Sequence, residues 1–335
     1  MSRYSPILPR HQRGLTLVEL MISLVLGLLI TAGIYQLFNV TQRTYRFEQA
    51  VADVQENGRF LINVFQRELR HSGFPPACQG ASGPGESLTL NLQSSKKTKE
   101  AIFPDGRFDA IGGWSERPAE GGYAQQLDSG DYQKGDALLV HHAANPAGLV
   151  VDEPINIGDK DITLAEGASV KAGDIFALAF QNRCEVIENT QDGKLIVPSG
   201  FSYGFPPEDD GTWIGALVGD IYYIGWDDPR QEPGLRRLNL LTGQSETLAS
   251  PVVDLEVRYL VDDNYQEAPD KGDWNKITAV RVSLLLRGAT RNVLETPAQV
   301  KAGDIDFMAP DDDLRLYQGF TTTVALRNRL MEGKQ

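Results

Sequence analysis

Apolar positions crowd the start of the chain. Most residues between Leu15 and Phe38 are apolar, and residues 20–42 carry no charge. As a helix that stretch is long enough to cross a bilayer, which takes roughly 20 predominantly apolar residues. Beyond Gln42 the composition turns polar, yet a helical period persists. Phe47, Val51, Val54, Gly58, Leu61 and Phe65 recur in steps of four and three, which lines them along one face. Ser72-Gly73-Phe74-Pro75-Pro76 then reads as a helix stop. The pattern predicts one helix from about Leu17 to His71, roughly 80 Å long. Gly58 on the seam costs about 1 kcal/mol relative to alanine in a helix, so close packing against a domain is its expected reason.

After Pro76 the period changes. Short runs of β-favouring residues recur between Gly, Asp, Asn and Pro. The expected strands are 87–92, 137–142, 175–180, 194–197, 221–224, 235–240, 252–261, 280–286 and 322–327. Within 280–286 alternation gives way to a continuous apolar run, as in a strand covered on both faces. Lys134-Gly135-Asp136, Lys171-Ala172-Gly173-Asp174 and Lys301-Ala302-Gly303-Asp304 read as similar turns into strands. Their irregular spacing argues for shared turn chemistry and against a repeat architecture. Residues 200–207 and 262–275 read as surface loops. The fold class is therefore α+β: a long N-terminal helix, transmembrane in its first half, on a β-rich C-terminal globular domain.

Composition adds a compartment question and removes some functions. With 335 residues, 41% hydrophobic and 23% charged, the chain can bury a proper core. Its net charge is −13, and its first fourteen residues hold Arg3, Arg10 and Arg13 but no acid, so the remainder is more acidic still. Such a surface repels nucleic acid, which needs clustered Lys and Arg, and the short Lys96-Lys97-Thr98-Lys99 run is the one cluster beyond the start. Cys78 and Cys184 are the whole thiol inventory. In a reducing compartment they are free thiols; in an oxidising one the pair reads as a single disulfide.

No catalytic, cofactor or metal site stands out. Gly200-Phe201-Ser202-Tyr203-Gly204 is a literal G-x-S-x-G, but a nucleophile elbow needs a helix straight after the serine. Pro206-Pro207 and the acids that follow argue against one, so Ser202 is expected in a loop. His141 and His142 are adjacent and would point to opposite faces of a strand. Only four histidines exist, and two cysteines cannot form a structural zinc site alone. The acidic groups at 208–210, 227–228, 262–263 and 311–313 lack the spacing of an EF-hand and read as solvated loops.

The N-terminus is more informative. Arg3, Arg10 and Arg13 precede the apolar run and predict a cytoplasmic N-terminus with the rest of the chain outside. A secretory signal has the same charge order but is cut after its apolar stretch, at small residues that the 36–43 segment lacks. Arg13-Gly14-Leu15-Thr16-Leu17-Val18-Glu19-Leu20 instead resembles the prepilin signal. That resemblance implies cleavage by a prepilin peptidase between Gly14 and Leu15, with N-methylation of Leu15, where phenylalanine is commoner. Glu19 is costly inside an apolar layer and needs a partner. In pilins the matching glutamate is thought to pair with a neighbouring subunit's N-terminal amine. Ser23, Gly27 and Thr31 follow it in four-residue steps and form a small-residue stripe suited to helix packing in lipid.

Further stretches resemble the PilW family of minor pilins. They are Val54–Phe60 with Arg67-Glu68-Leu69-Arg70-His71-Ser72-Gly73-Phe74 and Cys78, and the Gly135-Asp136 and Gly173-Asp174 runs leading to Cys184. Others are 221–225, 253–259, 279–282 and 321–328. The resemblance implies a leader at 1–14, a transmembrane segment at 15–40, a periplasmic helical half at 41–73 and a globular domain at 74–335. It also implies a non-enzymatic subunit of a type IV pilus that helps to initiate assembly and belongs to the tip complex, supporting adhesion and twitching motility. Its partners would be other minor pilins, the major pilin, a PilY-type tip adhesin, the inner-membrane assembly platform and the prepilin peptidase. The subunit would sit in the inner membrane before assembly and in the pilus afterwards. The related alternative is a GspJ-like minor pseudopilin of type II secretion.

Overall fold

A computed structural model describes residues 16–82, 86–93, 99, 102–103, 106–115, 127, 131–145, 148–164, 169–269 and 274–330. The helix is a single element, α1 (Leu17–His71), as the uninterrupted period requires. The chain divides into two compact units, residues 1–49 and 50–335. In the first, every described residue from Thr16 to Gln49 is exposed, including the apolar ones. The helix there owes nothing to burial in its own chain.

The second unit begins with the remaining turns of α1. Strands β1 (Gly80–Ala81), β2 (Leu88–Asn91), β3 (Arg107–Phe108), β4 (Ile111–Trp114) and the long β5 (Tyr132–Ala144) follow. Next come β6 (Asp161–Ile162), β7 (Ile175–Phe180), β8 (Arg183–Glu188), β9 (Leu195–Ile196) and β10 (Trp213–Asp227). The last part holds β11 (Glu232–Asn239), β12 (Ser245–Ala249), β13 (Val252–Val261), β14 (Asn264–Gln266) and β15 (Ala279–Arg287). It closes with the hairpin β16 (Gln299–Ala302) and β17 (Ile305–Met308), then β18 (Tyr317–Ala325) and a short helix α2 (Arg327–Leu330).

Two sheets organise this unit. Eight described strands form one, in the order β12-β11-β10-β7-β8-β2, with β5 pairing both β10 and β4. The other runs β14-β13-β15-β18, antiparallel throughout. Strand alternation splits the large sheet between two cores. Leu138, Val140, Tyr222 and Ile224 face the core that also takes Val54, Leu61, Val64, Phe65 and Leu69 of α1. Ala137, Leu139, Ile221 and Tyr223 face the other, which holds Cys78 and Cys184. Each fully buried Leu or Phe of this kind contributes roughly 1.5–3 kcal/mol.

The small sheet closes the first core. Val280, Val282, Leu284 and Leu286 of β15 pack towards α1, while Leu285 joins Ile305, Ala309 and Tyr317 on the reverse. This is the two-sided burial expected of 280–286. The β16–β17 hairpin turns at Gly303, with φ +58°, where a Cβ would come within 2.2 Å of the Ser283 hydroxyl. Only glycine fits that conformation and that approach.

Several expectations shift. The helix seam is Ala50, Val54, Gly58, Leu61, Val64, Phe65, Glu68 and Leu69, whereas Phe47 is exposed and Val51 half-buried. Lys134-Gly135-Asp136 does not precede a strand; it lies inside β5, where the register against β10 slips. Lys171–Asp174 does turn into β7, and the Asp174 carboxylate accepts the Lys171 N–H at 2.8 Å. The 262–275 segment contains strand β14, and β18 begins at Tyr317 and ends at Ala325.

Candidate assembly site

The first turn of α1 is closed by its own side chains. Thr16 N–H and Oγ1 point at Glu19 Oε2, at 3.4 and 3.5 Å, and Glu19 N–H donates to Thr16 Oγ1 at 3.3 Å. Thr-x-x-Glu is a capping box, in which the two residues satisfy amides that a helix start leaves orphaned. Glu19 is thus the acid of the first turn, where the helix dipole favours negative charge. Gly14 and Leu15 lie outside the described residues.

The stripe that follows is bonded along itself. Ser23 Oγ donates to the Glu19 carbonyl and Thr31 Oγ1 to the Gly27 carbonyl, both at 2.8 Å. These hydroxyls therefore present little unmet polarity to an apolar neighbour. A Cβ at Gly27 would meet nothing within 4 Å, so this chain leaves that face open. Ser23, Gly27 and Thr31 share the face with Glu19, as four-residue steps demand.

Cys78 and Cys184 are joined in a disulfide, with Cα atoms 4.9 Å apart. It ties the 3₁₀ turn after α1 to β8. Ser202 lies in a turn, and its N–H donates to the buried Glu185 carboxylate at 3.0 Å. The next helical turn is the 3₁₀ element Glu208–Asp210, so no nucleophile elbow forms. His141 stacks on Phe108 in one core while His142 meets Glu68 across the sheet, which keeps the two rings from sharing a ligand. Among the described residues no group of His, Cys, Asp or Glu is placed to hold a metal.

Sequence reasoning missed a buried polar cluster beneath α1. The Nε2–H of His142 donates to Glu68 Oε2 at 3.1 Å, and Arg67 Nε donates to Glu68 Oε1 at 2.9 Å. Burial pushes the Glu68 carboxyl up, but His142 and Arg67 outweigh it and hold the group below its ordinary value. Buried Asp220 on β10 lies 3.6 Å from Arg237. Burial dominates there and raises its carboxyl to about 6, against the pull of Arg237. Burial likewise lowers His141 to about 4, which keeps it neutral. The available signal was position: Glu68 sits three residues after Phe65 and seven after Leu61, on the seam itself.

The comparisons align with these elements. Residues 9–35 match the prokaryotic N-terminal methylation motif, which includes the exposed front of α1. Residues 221–328 match type IV pilus-assembly protein W, PilW. The two matches together support a PilW-type pilin family for this chain. No curated protein and no solved structure matches it. The PilW segment contains the whole four-stranded sheet that packs on α1. It ends at Asn328, whose Nδ2 donates to the carbonyls of His71 at 3.3 Å and Ser72 at 2.9 Å. Both carbonyls stand where the helix ends, so the last matched residue caps the first element. The exposed apolar front of α1 fits a membrane-anchored prepilin.

Proposed function

We propose that this PilW-type chain is a minor pilin of a type IV pilus that helps to initiate the filament and belongs to its tip complex, supporting adhesion and twitching motility. One observation carries the reading. A fully exposed, charge-free helical stretch is opened by a single carboxylate, in register with the methylation motif. A prepilin peptidase removes residues 1–14 between Gly14 and Leu15, and Leu15 is N-methylated. Arg3, Arg10 and Arg13 hold the precursor's N-terminus in the cytoplasm. Residues 15–40 span the inner membrane, and 41–73 with 74–335 lie in the periplasm.

Glu19 then docks the subunit. A carboxylate in the apolar layer is expensive, and the N-terminal amine of a neighbouring pilin neutralises it. The stripe of Ser23, Gly27 and Thr31 lets like helices approach closely. A subunit that carries this acid has a neighbour in the stack, which disfavours the distal-most place. A body of this size suits a tip complex better than the repeated packing of the shaft. The partners are other minor pilins, the major pilin, a PilY-type adhesin and the inner-membrane platform. Cells lacking the chain are expected to show few surface pili. The intact gene restores them, and Glu19→Ala does not although the protein accumulates. Normal piliation without the chain would reject the proposal and turn attention to a secretion pseudopilus.

A further inference from the structure

We propose that Arg43, Tyr45, Arg46 and Phe47 form a belt that seats α1 among anionic phospholipid headgroups at the outer boundary of the membrane. The inference rests on the membrane reading above and adds a site to it. Residues 20–42 carry no charge and span about 34 Å as an α-helix. The hydrocarbon layer is about 30 Å thick. Glu19 and Arg43 therefore cannot both lie inside it, and with Glu19 within the layer Arg43 emerges beyond its outer boundary.

The side chains fit that place. All four residues are exposed, Tyr45 at 66% and Phe47 at 38%. Neither Arg43 nor Arg46 is in an ion pair among the described residues, so their charges are available to a phosphate. Arg43, Arg46 and Phe47 share one side of the helix and Tyr45 lies opposite, which surrounds the helix with interfacial groups. Arginine reaches headgroups with its stem on apolar surface, and tyrosine prefers this layer. The chain as a whole is acidic and repels an anionic surface, so these two arginines supply the local attraction. With the leader removed, Arg3, Arg10 and Arg13 are gone. Arg43 and Arg46 are then the side-chain cations that flank the span, opposite the N-terminal amine at its inner end.

The test places the full chain, with its arginine guanidinium carbons labelled, in vesicles containing phosphatidylglycerol. Carbon–phosphorus dipolar dephasing in the solid state reads arginine–phosphate contact. Dephasing is expected in the wild-type chain, reduced in R43Q/R46Q, kept in Arg43→Lys through the remaining Arg46, and kept in R59Q/R70Q, which alters the second unit. No dephasing, or dephasing that R43Q/R46Q leaves unchanged, overturns the proposal. The difference between the chains does not depend on leader removal, which intact mass reads separately on the same sample.

Discussion

Gly58 of α1 faces the ring of Phe320 so closely that a Cβ built on the glycine would lie 2.3 Å from its Cζ. The half-buried ring occupies the place of the missing side chain. Gly58→Ala gains about 1 kcal/mol of helix propensity but meets an overpacking cost of about 1–3 kcal/mol. The single variant is expected to lower the denaturation midpoint. In a Phe320→Ala background the same change should be neutral or stabilising. Equal cost in both backgrounds would show that the ring is not what requires glycine.

Asp220 gives a signed pH dependence. Its carboxyl is raised from 3.8 to about 6, chiefly by burial, so the folded chain holds that proton more tightly than the unfolded one. This contribution favours the folded state most below the ordinary value and is lost as pH rises through about 6. Wild type should therefore lose stability relative to Asp220→Asn across that interval, with a constant difference above it. Thermal midpoints of both proteins from mildly acid to neutral pH measure this. A difference that does not change with pH would contradict the assignment.

The disulfide closes a long loop, since Cys78 and Cys184 are 106 positions apart. Replacing both by serine is expected to cost about 2–5 kcal/mol by freeing the unfolded chain. Chemical denaturation of the two proteins reads the difference. A loss well under 1 kcal/mol would mean that the bridge adds little to stability.

Asn328 holds the C-terminal end of α1 by two carbonyls, so Asn328→Ala should destabilise the second unit by about 1 kcal/mol. Amide exchange should quicken first around His71 and Ser72. Unchanged exchange there would remove the capping role.

Much of this architecture was legible because burial imposes periods. The helix bounds followed from an uninterrupted 3.6-residue pattern and the Ser72-Gly73-Phe74-Pro75-Pro76 stop. Strands 175–180 and 252–261 coincide with β7 and β13 because both are short, β-rich and bounded by turn residues. What escaped has physical reasons. Edge strand β12 is Ser-Glu-Thr-Leu-Ala, which buries little and so carries no alternation. Tyr132–Lys134 extends β5 across a register slip that local pattern does not encode. The burial of Glu68 went unread because its partner His142 comes from a strand far along the chain. For the exposed front of α1 the sequence supplied the residues, and the structure added the Thr16–Glu19 capping box.

The central claim is that this chain enters a pilus as a processed pilin, and the N-terminus tests it most directly. Intact mass and N-terminal analysis of the membrane-extracted protein, from cells with and without prepilin peptidase, is the measurement. A peptidase-dependent species beginning at methylated Leu15 is the predicted result. An uncleaved leader, or a cut beyond Phe38, would contradict the account.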